Sequence, residues 1–341
     1  MSVRYRLLLA AAAAAFAVGP GAPGAVLGAE AGPEEDTGIS GEAAAEILER
    51  ARLATMEENF TGVVEVAWHD GEAQRTAQVD VLCAGGRIRL GEDVAVGDGG
   101  RRLVRSAGEW LMLWRDEAYP QGPSPAEKYR FSLAAGDPLA GRATDVLVVH
   151  RRGEQYPSER LYLDRGSGLL LRRELLDARQ QVQRSIGFVR ISPGARELST
   201  PVDSVGRDPA PAGDMTGPYN APETLGDGYE LVGAYEGDHQ VHLFYSDGLH
   251  GLSLFEKPGR LSPSKMPDGG HQIEVDGRRV SAYSTAAGEA AVWQGDEVVY
   301  TLVSDATFAD VAAAVSDLPH AAPAGRLRRV AEIVSSLFRW S

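Results

Sequence analysis

Apolar positions return at helical spacing in one early segment of the chain. Between residues 40 and 56 they recur every three or four positions, and Ser40 stands where an N-terminal cap is expected. The spacing predicts an amphipathic helix over 40–56. After this helix the period of the pattern changes to two, which is typical of half-buried strands.

Alternating segments then follow one another as far as residue 190. The predicted strands are 61–68, 74–82, 87–90, 101–105, 110–114, 145–150, 159–164, 169–176 and 182–190. Turn-forming residues separate them, as in the run 164–168. The pattern predicts one helix laid on a large antiparallel sheet, a first domain over residues 40–192.

A second domain is predicted beyond a proline- and glycine-rich linker over residues 193–228. Its predicted strands are 229–235, 241–245, 252–255, 272–275, 278–284, 289–294 and 297–304. Asp305 and Thr307 can start a helix that runs to about residue 316. The expected fold class is mainly β with some α, and the second domain, residues 229–318, is a smaller α+β unit.

The two ends of the chain have patterns of their own. Residues 1–28 combine Arg4 and Arg6 with a short apolar run and small residues, which predicts a signal peptide; an uncleaved membrane anchor is the alternative. Residues 29–39 form a flexible acidic segment. The tail, residues 319–341, contains an amphipathic helix that either packs on its own domain, frays, or contacts an anionic membrane surface peripherally. An extracytoplasmic location is therefore expected.

Charge and cysteine content narrow the choice of function. The 341 residues include 34 basic and 48 acidic residues, a formal charge of −14, which becomes −16 once residues 1–28 are removed. This acidity argues against nonspecific binding of nucleic acid. The single cysteine, Cys83, cannot form an internal disulfide, and we interpret it as a small buried residue in a strand, in preference to a reactive thiol.

Searches for catalytic motifs are negative. The sequence has no Gly-x-Ser-x-Gly elbow, and no Gly-Lys-Ser/Thr follows the glycine-rich run at 97–100. His239 and His242 would point to opposite faces of a strand, which does not suit one metal ion. Asp238, Asp247 and Asp296 adjoin turn glycines and are most simply turn acids. We therefore expect no enzyme activity, no metal and no cofactor.

A half-open sheet with a helix against its concave face would leave an apolar cavity suited to an acyl chain. Trp68, Trp110, Trp114 and Phe131 are the candidates to line it; the alternative is that they simply fill the core. An exported protein of this shape would bind a lipid, a lipidated protein or the outer segment of a membrane protein.

Several segments resemble the RseB/MucB family. They are the run from Gly141 to Val149, the run from Arg160 to Asp164, the turn and strand from Ser167 to Arg173, and the opening strand from Phe60 to Val64. In the second domain, Tyr245-Ser246-Asp247-Gly248-Leu249 followed by Ser253-Leu254-Phe255 is similar to the C-terminal domain of that family.

The resemblance implies a two-domain extracytoplasmic regulator without catalytic residues. Its first domain would have the lipoprotein-carrier fold, an unclosed antiparallel β-barrel with a packed helix. Its second domain would help to hold the extracytoplasmic segment of a membrane anti-sigma factor and so modulate proteolysis of that factor in the envelope stress response. Tyr245, Asp247, Leu249 and Phe255 are the candidates to bind this partner. The alternative function is a lipid or lipoprotein carrier.

Overall fold

The computed structural model describes residues 37–69, 73–84, 87–90, 122–194, 219–237, 240–263, 266, 269–285 and 288–318. The helices are α1 (Gly41–Glu57), α2 (Pro125–Lys128) and α3 (Phe308–Ser316). The strands of residues 37–194 are β1 (Thr37–Ile39), β2 (Phe60–His69), β3 (Gln74–Ala84), β4 (Arg87–Leu90), β5 (Tyr129–Leu139), β6 (Arg142–Arg151), β7 (Glu159–Asp164), β8 (Leu170–Leu176) and β9 (Val182–Pro193). Those of residues 219–318 are β10 (Thr224–Leu225), β11 (Tyr229–Gly237), β12 (Gln240–Ser246), β13 (Gly251–Pro258), β14 (His271–Val275), β15 (Arg278–Thr285), β16 (Gly288–Gln294) and β17 (Val298–Ser304).

Helix α1 begins where the sequence predicts it. The Ser40 hydroxyl accepts a hydrogen bond from the amide of Ala43 at 3.1 Å, which satisfies one of the free amides of the first turn. Ala44, Leu48 and Ala51 are buried along one face of the helix. The predicted amphipathic helix is therefore confirmed.

The first sheet contains nine strands in the order β1-β5-β6-β7-β8-β9-β2-β3-β4, with antiparallel pairing throughout. Strands β5 to β9 form a meander, and β2 then pairs with β9 and starts a second run. The terminal strands β1 and β4 do not pair with each other, so the described sheet is open. A large antiparallel sheet is confirmed; its curvature into an unclosed barrel stays a prediction.

The core of the first sheet lies between its strands and α1. Phe60 and Phe188 meet edge to face with ring centroids 5.4 Å apart. Gly62, next to the Phe188 ring, has no room for a side chain, because a Cβ there would lie 2.7 Å from the carbonyl oxygen of Arg190. Cys83 is fully buried with its Sγ 3.5 Å from the carbonyl oxygen of Thr55, as expected for a small core residue.

The period-two pattern did not reveal every strand. Strand β5 was not predicted, because its second half contains the weak strand formers Ala134, Ala135, Gly136 and Pro138. Nine of its residues nevertheless pair with β6, and three of these nine, residues 131–133, also pair with β1 on the other side. The predicted strands 101–105 and 110–114 lie outside the described residues.

The second sheet contains eight antiparallel strands in the order β10-β11-β12-β13-β17-β16-β15-β14. Helix α3 packs on one face and is capped by Thr307, whose side chain accepts from the amide of Asp310. Trp293 and Tyr300 stack at 5.2 Å in the core beneath it. The second sheet with its helix confirms the predicted combination of β and α in this part of the chain. The described residues as a whole are mainly β, with two large antiparallel sheets.

The two sheets belong to one compact unit that begins at residue 35. Strand β10 lies within the predicted linker and β1 within the predicted acidic segment, so both segments contribute pairing residues at their ends. The boundaries proposed for the two domains stay a prediction. In the described part of the chain no helix combines the length and apolar character needed to cross a membrane. The predicted signal peptide and tail helix lie outside the described residues.

Candidate functional site

The turn between β12 and β13 joins the two halves of the molecule. We call residues 37–194 the first block and residues 219–318 the second block. Asp247 shapes the turn, since its Oδ1 accepts hydrogen bonds from the amides of Leu249 at 3.0 Å and His250 at 2.8 Å. Gly248 has a φ of 86° and packs so closely that a Cβ would lie 2.3 Å from the Pro123 carbonyl oxygen. The turn therefore docks against the first block by its backbone.

Leu249 extends from this turn into the core of the first block. Its side chain is 1% exposed and belongs to the apolar cluster that contains Leu48 of α1, Phe60 of β2 and Phe131 of β5. Burial of a leucine side chain stabilises a structure by about 1.5–3 kcal/mol relative to its exposure. A residue of the second block thus completes the core of the first.

Asp247 also binds two side chains of the first block. Its Oδ2 accepts hydrogen bonds from Lys128 Nζ at 2.8 Å and from the Tyr129 hydroxyl at 2.6 Å. Burial alone would raise the pKa of Asp247, but the contacts with His250 and Lys128 outweigh it, and the pKa lies well below its ordinary value. Burial and the adjacent Asp247 charge raise the pKa of Tyr129, so that its hydroxyl keeps its proton and remains a donor.

His250 is fully enclosed between acids of both blocks. Its Nε2 lies 3.2 Å from Glu159 Oε2, an ion pair that departs from ideal hydrogen-bond direction, and its Nδ1 lies 3.1 Å from the Tyr129 hydroxyl. Burial would lower the pKa of His250, but Glu159 and Asp247 outweigh that effect and raise it to about 9. The imidazole is therefore charged near neutral pH.

A second group of ion pairs continues the contact between the blocks. Arg173 of β8 donates to Glu159 and, at 2.6 Å, to Asp305. Arg151 at the end of β6 donates from its Nη2 to both carboxylate oxygens of Asp310 of α3, at 2.7 and 2.8 Å. Across this contact the first block supplies the arginines and lysine, and the second block supplies the aspartates. We call the whole contact the junction; its charged residues are Lys128, Arg151, Glu159, Arg173, Arg184, Asp247, His250, Asp305 and Asp310.

The residues predicted to bind a partner lie in and beside this junction. Tyr245 is buried and donates its hydroxyl proton to the Pro222 carbonyl at 3.0 Å. Asp247 and Leu249 are buried in the turn. Phe255 is partly buried and stacks on His242 with centroids 4.3 Å apart. The structure therefore does not bring the four side chains onto one exposed surface, and their role toward a partner stays a prediction.

The residues predicted to line an acyl cavity are only partly described. Phe131 is 4% exposed within the core cluster of the first block, and Trp68 packs at the edge of the same cluster. Trp110 and Trp114 lie outside the described residues. Elsewhere in the first block, a surface depression of about 290 Å³ lies over β2, β3 and β9 and includes Asp80 and Arg190. The cavity role of the four aromatic residues stays a prediction.

Most of the junction was missed by reasoning from the sequence, although two signals point to it. Glu159 alternates with the buried Leu161 and Leu163 on β7, and Arg173 alternates with the buried Leu171 and Leu175 on β8. A charge at a core position of a strand requires a buried partner. Asp247, interpreted as a turn acid, does shape its turn, but it also binds Lys128 and Tyr129.

The junction is suited to holding two surfaces together. Its acids and bases are paired with each other, and within the described ranges no group of His, Cys, Asp and Glu could hold a metal ion. Removing one member of such a buried pair typically costs about 3–5 kcal/mol, because the other charge is left buried and uncompensated. The arrangement therefore fixes how the hairpin of the second block docks on the first block.

Comparison with known proteins bears on the first block. Residues 87–205 match the family model of the MucB/RseB N-terminal domain. No curated protein sequence matches the chain. In a complex of Pseudomonas aeruginosa MucA and MucB, the similar chain is 21% identical with a TM-score of 0.44, and the match covers 82% of this chain and 100% of that chain.

Two further solved structures show weaker or comparable similarity. A crystal structure of MucB is 22% identical with a TM-score of 0.43, covering 81% of this chain and 97% of that one. A lipoprotein-sorting protein domain from Vibrio parahaemolyticus is 12% identical with a TM-score of 0.19, covering 47% and 96%. The match over residues 87–205 confirms, for that part of the chain, the predicted resemblance to the RseB/MucB family.

Proposed function

We propose that the protein is an exported, non-enzymatic regulator that binds the extracytoplasmic segment of a membrane anti-sigma factor. The observation that carries this proposal is the MucB/RseB N-terminal domain over residues 87–205. In the proposed role, the bound segment is shielded from proteolysis, and its release starts the envelope stress response. Residues 1–28 direct export and are removed.

The distribution of charge supports binding of a basic segment by the second block. Residues 219–318 contain 16 acidic and 5 basic residues, so most of the negative charge of the chain is concentrated there. Asp247, Asp305 and Asp310 are used within the junction, and other acids, such as Glu230 and Glu274, are exposed. A surface of this sign attracts a basic partner over several ångströms and accelerates its association.

The predicted partner residues divide into two roles under this proposal. Phe255 is partly exposed and is the candidate for direct contact with the partner. Tyr245, Asp247 and Leu249 are buried, so they would act by holding the β12–β13 hairpin in place. We further propose that the first sheet curves into an unclosed barrel of the lipoprotein-carrier kind, and that the tail over 319–341 contacts the membrane peripherally.

Affinity capture from membranes of the native host tests the proposal. The chain lacking residues 1–28 is immobilised, and captured proteins are identified by mass spectrometry at low and at physiological salt. We expect one membrane protein with a cytoplasmic sigma-factor-binding domain and a basic outer segment. If no such protein is among the captured proteins, the proposal is overturned.

Native mass spectrometry of the same material distinguishes the alternative function. A lipid bound at one copy per chain, together with failure to capture an anti-sigma factor, would instead establish a lipid or lipoprotein carrier. The matched control is Phe255→Ala, which is expected to weaken capture of the anti-sigma factor and to leave the amount of bound lipid unchanged.

A further inference from the structure

We propose that the turn of the β12–β13 hairpin, residues 247–250, is a detachable latch between the two blocks, and that the latch stays closed only while His250 carries both ring protons. This inference concerns the chain by itself and does not depend on the identity of its partner. It assigns a conformational role to Asp247, Leu249 and His250.

The first argument is the form of the contact. The turn at 247–250 enters the first block as a short peg, with Leu249 in the apolar core and Gly248 against the Pro123 carbonyl. Strands β12 and β13 pair with each other and with β11 and β17 of the second block, and not with the first block, so the turn of four residues can separate from the first block without loss of strand pairing. When the turn withdraws, the Leu249 side chain and the charged groups of the ion pairs become exposed to solvent.

The second argument is the inventory of hydrogen-bond donors around His250. The one hydroxyl proton of Tyr129 is donated to Asp247 Oδ2 at 2.6 Å, so the Tyr129 oxygen can only accept at its 3.1 Å contact with His250 Nδ1. Nδ1 must therefore carry a proton. Nε2 lies 3.2 Å from the Glu159 carboxylate, outside hydrogen-bond geometry, and the negative charge of that carboxylate favours a proton on Nε2 as well. Both conditions are met only by the imidazolium form.

The third argument is the balance of charge. Four cations, Lys128, Arg151, Arg173 and protonated His250, face four anions, Glu159, Asp247, Asp305 and Asp310. Arg184 adds a further cation, and Glu289 acts on it electrostatically. Loss of the His250 proton leaves one buried negative charge without compensation, which is strongly unfavourable in a closed junction and is relieved when water enters.

The groups that face His250 come from three elements. Tyr129 lies on β5, Glu159 lies on β7 and is paired with Arg173, and Asp247 lies on the turn of His250 itself and is paired with Lys128. Asp310 of α3 also acts electrostatically on the cluster. Each of these acids favours the charged imidazole, so the latch is closed near neutral pH and opens as the pH rises.

Hydrogen exchange of the intact chain without residues 1–28 tests the latch between pH 6 and 10.5. Exchange rates at residues 246–251, corrected for the intrinsic effect of pH, are expected to rise mainly between the ordinary pKa of 6.5 and the raised pKa of about 9 and to level off above it. The expected rise is about two hundredfold over the whole range and about tenfold across pH 8–10. Amides within the β2–β3 pair serve as the internal reference and are expected to show no such step. A corrected rate at 246–251 that stays constant over this range overturns the proposal.

A pair of histidine variants completes the test. His250→Gln is expected to show fast exchange at 246–251 already at pH 7 and to lack the alkaline step. His242→Gln, on β12 of the same hairpin but outside the junction, should retain the step. If His250→Gln keeps the wild-type step, the proposal fails. Should that variant not fold, the NMR titration of the His250 ring in the wild-type chain decides instead: a pKa below 7.5 overturns the latch. Because no partner is present in any arm, failure here is distinguishable from failure of the proposed function.

Discussion

Glu256 is a carboxyl side chain whose burial opposes its ionisation. It lies on β13 with no exposed surface, and one carboxylate oxygen, Oε2, accepts a hydrogen bond from the amide of Asn220 at 2.9 Å. The other oxygen, Oε1, is buried without a hydrogen-bond partner in the described structure. Burial therefore raises the pKa of Glu256 to about 7, with a smaller opposing effect of the Asn220 amide.

The pH dependence that follows has a definite sign. The folded pKa lies above the ordinary value of 4.5, so folding favours the protonated acid. The contribution to stability is full below about pH 4.5 and is lost as the pH rises through 7. Glu256→Gln keeps an acceptor for the Asn220 amide and cannot ionise. We predict that its free energy of unfolding, relative to wild type, is about 2–3 kcal/mol more favourable to the folded state at pH 8.5 than at pH 5.

Urea unfolding of wild type and Glu256→Gln at both pH values measures this difference. Glu230→Gln, an exposed glutamate on β11, is the matched control and should change neither value by more than about 0.5 kcal/mol. An equal effect of the Glu256 substitution at both pH values would contradict the assigned ionisation.

At the scale of elements, helices and hairpins follow local rules, whereas their docking does not. Ser40 and Thr307 cap α1 and α3 as their sequence context predicts, and most strands coincide with period-two segments. The docking of the β12–β13 turn depends on Gly248, whose positive φ is a local property but whose close approach to Pro123 is a tertiary one.

A pair of glycine substitutions separates these two properties. Gly248 and Gly153 have the same φ of 86°, but a Cβ on Gly153 would meet no atom within 4 Å. Gly153→Ala should cost only the backbone strain of about 1–2 kcal/mol. Gly248→Ala adds a clash with the Pro123 carbonyl, so we predict a larger loss of stability, by at least about 1 kcal/mol, together with faster exchange at 246–251.

Thermal and urea unfolding of the two variants, with hydrogen exchange of each, provides the measurement. Equal losses in both variants would mean that the turn does not dock as tightly as the structure indicates.

At the scale of the whole molecule, charge is distributed unevenly. The second block carries 16 acidic and 5 basic residues, whereas acids and bases are nearly balanced in the first block. Long-range attraction of a basic partner therefore acts mainly through the second block and weakens with salt, since the screening length is about 8 Å at physiological ionic strength.

We predict that neutralising exposed acids of the second block slows association with the anti-sigma segment proposed as the partner. Glu230→Gln with Glu274→Gln should reduce the association rate constant by about threefold at low salt, with little effect at high salt. Glu42→Gln with Glu46→Gln removes the same charge from exposed positions of α1 and is the matched control. Stopped-flow binding at two salt concentrations measures both pairs; equal slowing by both would show that net charge, and not its placement, controls the rate.

The sequence by itself determined the type of most elements, the capping residues and the resemblance of the first block to the RseB/MucB family. These features depend on residues a few positions apart, or on motifs such as the run from Ser167 to Arg173. Strand β5 was not predicted because its alanines, glycine and proline interrupt the alternation of apolar and polar residues. The strand forms because pairing with β1 and β6 outweighs the weak strand preference of these residues.

The tertiary structure alone decided the strand order, the insertion of Leu249 into the core of the first block, and the pairing of the junction charges. Lys128 meets Asp247 across 119 positions of the chain, and Arg151 meets Asp310 across 159. A buried charge at a strand position indicates that a partner exists, but its identity depends on how two sheets dock. That docking results from packing and electrostatic contacts between residues far apart in the chain, and local sequence patterns do not predict such contacts.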